Sequence, residues 1–62
     1  MKAKYEQGQE FETIVELVAW LQSGRHVYLH GKIWNNKWAT NLQLGYLMEQ
    51  IEKKTITRAK RR

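Results

Sequence analysis

The chain has 62 residues, eleven of them Lys or Arg against six acids, with a formal net charge of +5 and no cysteine. That excludes disulfides and thiolate metal sites and leaves one small core, near the lower size limit of unassisted folding. Residues 1–62 are therefore read as a single domain, stabilised by packing and, as an option, by homodimerisation.

Residues 2–11 have the makings of a strand, with Gly8 at a turn or bulge. The start, Met1 to Gln7, has no apolar stretch of the kind a signal peptide carries. Residues 13–23 read as the first helix. Ile14, Leu17, Val18 and Leu21 recur at i, i+3, i+4 and i+7. Thr13 and Glu16 have capping-box spacing, and Phe11 stands close to the staple position. Ser23-Gly24 closes the helix, since glycine accepts the left-handed conformation after a last turn.

Residues 26–30 alternate as a strand, Val27 and Leu29 on one side and His26, Tyr28 and His30 on the other. Gly31 interrupts it. Lys32-Ile33-Trp34 could continue the same strand, and Asn35-Asn36 suits a turn. Lys37-Trp38 is compatible with a returning strand or with a lead into the next helix. That second helix is predicted over 41–53, opened by Thr40 and Gln43 and striped by Leu44, Leu47, Met48 and Ile51. Gly45 inside it costs about 1 kcal/mol against alanine, which points to close approach of another element. Thr55-Ile56-Thr57 allows a further strand over 55–58, beside 27–29. The expected fold class is α+β, two helices packed on a small two- or three-stranded sheet.

Chemistry-bearing constellations are scarce. His26 and His30 on a strand stand roughly 13 Å apart, too far to share one ion. Gly31-Lys32 lacks the spacing and the hydroxyl of a phosphate-binding loop. Ser23 is the single serine and is needed for helix closure. A domain this small rarely encloses a catalytic pocket. A non-catalytic protein without cofactor or metal is expected. No apolar run nears the roughly 20 residues of a membrane span, so no membrane partner is expected and the setting is read as cytoplasmic.

The charge is lopsided. Residues 1–24 set Lys2 and Lys4 against Glu6, Glu10, Glu12 and Glu16; residues 25–62 set nine Lys and Arg against Glu49 and Glu52. The basic end, 53–62, carries Lys53, Lys54, Arg58, Lys60, Arg61 and Arg62 with no acid among them. Such asymmetry points to an anionic partner. The candidate phosphate contacts are these six with Arg25, Lys32 and Lys37. Trp34, Trp38 and Tyr28 are candidates for base stacking or for an interface hot spot. One of Trp34 and Trp38 is expected in the core and the other at least half exposed, with Trp20 at a core edge or interface. Asn41, Gln43 and Gln50 are too few for a base-reading code. The reading is a small basic nucleic-acid-binding or nucleic-acid-associated regulatory protein, of the size of many phage and plasmid accessory factors. Its alternative is a protein-interaction module that regulates a larger partner through an exposed Trp/Tyr/His surface, its basic end drawn to an acidic patch.

Overall fold

A computed structural model describes residues 4–62. In chain order its elements are β1 (Tyr5–Glu10), α1 (Ile14–Gln22), β2 (Val27–Leu29), β3 (Lys32–Trp34), α2 (Asn36–Thr40), α3 (Leu44–Glu52) and β4 (Ile56–Arg61). The strands form one sheet in the order β1-β4-β2-β3, and every neighbouring pair is antiparallel. The helices cover one face, so the class is α+β as expected, with three helices rather than two and four strands rather than two or three. Residues 2 and 3 of the expected first strand lie outside the described residues.

Local chemistry sets α1. The Thr13 hydroxyl accepts from the Glu16 N–H at 3.3 Å. Glu16 reaches back to the Glu12 N–H at 2.9 Å, one residue beyond the reciprocal partner of a capping box. At the other end Gly24 has φ 83°. Its N–H bonds the Leu21 carbonyl and that of Arg25 the Trp20 carbonyl, the paired closure of a Schellman motif. The expected 13–23 is thus 14–22 plus its caps.

The expected strand 26–30 shortens to Val27–Leu29, and Gly31 does more than interrupt it. His30 and Gly31 both have positive φ, 55° and 80°, as the two central residues of a tight hairpin turn require. Lys32–Trp34 therefore returns antiparallel on β2, with Leu29 opposite Lys32 and Val27 opposite Trp34.

The expected helix 41–53 shortens to α3, Leu44–Glu52, and a separate short helix, α2, precedes it over Asn36–Thr40. Asn35 is no turn residue: its Oδ1 accepts from the Trp38 N–H at 2.9 Å and caps α2, as a short side-chain carbonyl does well. Thr40, expected as a cap, is spent inside α2, donating to the Lys37 carbonyl at 2.9 Å. The break at 41–43 lets Ala39 be buried and Leu42 pack on the core. α3 starts after Gln43 with no side-chain cap. Its buried face is Leu47, Gln50 and Ile51, while Leu44 and Met48 of the expected stripe are 58% and 50% exposed. Gln50 bonds the Thr55 hydroxyl and is no free amide. Among the described residues nothing lies within 4 Å of a Cβ built at Gly45, so no close approach requires that glycine.

Most consequential is β4. The expected 55–58 extends to Ile56–Arg61 and inserts between β1 and β2, giving a split β-α-β unit in which β1 and β2 run parallel with β4 between them. Leu17, Val27, Leu47 and Ile56 are fully enclosed between sheet and helices, each contributing roughly 1.5–3 kcal/mol of apolar burial. No helix among the described residues is long and apolar enough to cross a membrane.

Candidate functional site

The C-terminal end of β4 meets the start of β1, the start of β2 and the end of α1, and a cleft of about 560 Å³ opens there. Its walls are Tyr5, Trp20, Arg25, His26, Lys60 and Arg61, with Gly24 and Ala59. Each functional side chain is held by a separate local cause. Arg25 follows the closure of α1, and its guanidinium lies 4.8 Å from the centre of the Trp20 ring. The Trp20 indole N–H donates to the His26 carbonyl, which also accepts from the Ala59 N–H at 3.1 Å. His26 Nδ1 accepts from the Asn36 N–H at 3.3 Å, which requires that nitrogen to be unprotonated. The His26 and Tyr5 rings lie 5.0 Å apart at 51°.

Lys60 and Arg61 are positioned by register. Glu6 stands opposite Lys60 and Tyr5 opposite Arg61. β1 carries a bulge, since Gln7 pairs with Ala59 but Glu10 with Thr57. Gly8 sits in it, and a Cβ there would come within 3.2 Å of the Arg58 carbonyl and the Lys60 side chain. Lys60 thus lays its stem across the glycine. Among the described residues no carboxylate lines the cleft, although Glu6 lies beside it in the ladder.

Of the cations singled out by sequence, Arg25, Lys60 and Arg61 come together here. Arg62 is next to them, its N–H on the Lys4 carbonyl at 3.1 Å. The others do not join. Arg58 points to the helix side, where its guanidinium is 4.5 Å from the Phe11 ring centre and 5.6 Å from that of Trp20. It donates to the Glu10 carbonyl at 3.0 Å and lies 4.0 Å from the Glu16 carboxylate. Lys54 lines a different groove, of about 880 Å³, whose other charged walls include Glu10, Glu12, Glu16 and Glu52. Lys53 pairs with Glu49 at 3.1 Å. Lys32 on β3 and Lys37 on α2 are exposed and outside the cleft.

The aromatic candidates also separate. Trp34 is partly buried against the core, and its indole N–H has no partner among the described residues. Trp38 is 62% exposed on α2, the half-exposed indole expected, whereas Trp34 packs against the core without entering it, and neither lines the cleft. The Tyr28 hydroxyl donates to the Tyr5 carbonyl at 3.0 Å, linking the two strands that flank β4. Tyr5 is not among the residues the sequence singles out for binding, and Trp20 is placed there at a core edge or interface. Only the β1–β4 register brings Tyr5 to Arg61, and residues 56 apart in sequence carry no local signal of that.

A second surface is apolar. Trp38, Leu44 and Met48 are exposed on α2 and α3, and Leu44 also lines a small hollow of about 180 Å³ with Val18, Leu42 and Leu47 among others. The single serine is occupied, as its Oγ donates to the Trp20 carbonyl at 2.6 Å. Among the described residues no three His or Glu side chains converge as metal ligands would. What the cleft can do is hold an anion: the exposed cations Arg25, Lys60 and Arg61 are among its walls, with the Tyr5, Trp20 and His26 rings. Compared with protein-family models, with curated proteins and with solved structures, the chain matches none of them.

Proposed function

We propose that the protein is a small, non-catalytic nucleic-acid-binding or nucleic-acid-associated accessory protein, and that the cleft at the end of β4 is its phosphate-contacting site. One observation supports this above the rest: Arg25, Lys60 and Arg61 line one cleft together with Tyr5 and His26. Phosphate contacts position a nucleic acid without reading it, and no base-reading helix accompanies this cleft. The binding is therefore independent of sequence. A cytoplasmic setting belongs to the same reading, since the chain uses no cysteine.

Counterion release sets the test. Three phosphate contacts correspond to a slope of roughly −2 to −3 in log affinity against log salt, a loss of about 20- to 40-fold between about 50 and 200 mM. Titrating labelled oligonucleotides at the two salts, with the intact chain and with Lys60→Gln/Arg61→Gln, measures it. Binding that survives the double substitution with an unchanged slope counts against this site.

A second reading rests on the exposed Trp38, Leu44 and Met48. In it the helical layer docks a second copy or an acidic protein partner, with the basic end steering the encounter. Sedimentation of the wild type and of Trp38→Ser distinguishes it: a monomer at every concentration removes the homodimer.

A further inference from the structure

We propose that the cleft takes an unpaired strand in preference to a duplex, with Tyr5 as the ring on which a base stacks; this rests on the nucleic-acid reading above. The cations sit in a concavity, not on a protruding element. A duplex is read by a helix or ribbon that enters its groove, and neither long helix here offers one. α1 carries Glu16 near its start, and α3 carries Glu49 and Glu52. The cleft is only about 560 Å³, too small to admit a rigid duplex, which meets its rim and not its rings. An unpaired base can turn out of its stack and enter.

Elimination among the rings leads to Tyr5. Trp20 is spent: Arg25 and Arg58 lie against it, Phe11 meets it edge-on at 6.2 Å, and its N–H is bonded. Tyr28 is tied across β4, and Trp34 and Trp38 are outside. Tyr5 instead lines the cleft, and its one ring neighbour among the described residues, His26, is tilted and not stacked flat on it. Its register partner is Arg61. Directly opposite residues place their Cβ atoms about 5 Å apart. One nucleotide can therefore set its base on Tyr5 and its phosphate on Arg61.

The experiment uses the full chain and one mixed sequence of about 12 nucleotides, single-stranded or annealed to its complement, at low salt. The expected result is at least tenfold tighter binding of the single strand. Tyr5→Leu should weaken the single strand roughly 5- to 100-fold and the duplex clearly less, with its circular dichroism and thermal midpoint reporting an intact fold. Tyr5→Phe should behave as wild type. Equal affinity for both forms, or an equal loss for both on Tyr5→Leu, overturns the inference while leaving the nucleic-acid reading standing. Binding of neither form overturns both. Should Tyr5→Leu not fold, the wild type still decides: its Tyr5 ring protons shift upfield on single-strand addition if a base stacks there, and unshifted protons refute it.

Discussion

Arg58→Met removes one cation from the basic end while keeping most of its aliphatic bulk, and it separates a structural charge from a phosphate-binding one. The side chain is 19% exposed and lies over the Phe11 and Trp20 rings. Each cation–π contact stabilises by about 0.5–1 kcal/mol. The charge-assisted bond to the Glu10 carbonyl adds about 1 kcal/mol. The 4.0 Å pair with the half-exposed Glu16 adds under about 0.5 kcal/mol. These share one guanidinium and do not simply add, so a loss of about 2 kcal/mol is expected. A chain of this length has about 3–9 kcal/mol in total, and the thermal midpoint should fall by roughly 8–16 °C. Tryptophan fluorescence during heating and in urea measures both quantities. Below the new midpoint, the salt slope of oligonucleotide binding should equal that of wild type, whereas Arg61→Gln should flatten it by about 0.7. Unchanged stability, or a slope flattened as by Arg61→Gln, refutes the assignment of Arg58 to the core edge.

Two further substitutions probe the helix ends. Lys54 closes α3 as Gly24 closes α1, its N–H on the Ile51 carbonyl and that of Thr55 on Gln50, but with a side chain at φ 59°. That conformation costs an L-residue about 1–2 kcal/mol, of which unfolded-state entropy returns part, so Lys54→Gly should stabilise by about 0.5–1 kcal/mol. Because Lys54 lines the groove with Glu10, Glu12, Glu16 and Glu52, oligonucleotide affinity should hold; a tenfold drop would move the binding site to that end. Gly45→Ala, in the open first turn of α3, should raise stability by about 0.5–1 kcal/mol. A lowered urea midpoint would reveal a need for glycine that the geometry lacks.

Elements carrying their own boundary signals were legible. In α1 the apolar repeat, the Thr13 cap and the Gly24 closure lie within a dozen residues of one another, and the structure moves the ends by one residue. The alternation puts Val27 and Leu29 on one side of the strand, and the structure buries both in the core. Errors arose where two local signals competed. Asn35 and Thr40 both invite a helix start, and the choice fell to Asn35 because Ala39 and Leu42 then reach the core. His30 at positive φ is an uncommon choice for a non-glycine, so the hairpin turn was masked and β3 was read as a continuation.

Composition and order along the chain determined that positive charge gathers in the last ten residues, and that no disulfide or obvious catalytic set supports them. They did not determine what that charge faces. Strand pairing is a contact between distant segments, and its register turns each side chain to one face or the other. With β4 between β1 and β2, Arg58 lies over Phe11 and Trp20, Lys60 two residues on shares its face and crosses Gly8, and Arg61 takes the other face opposite Tyr5, at the strand end where the cleft opens. Most of the basic end is thus an inner strand of the sheet, and Arg58 in it is spent on the fold while Lys60 and Arg61 line the cleft.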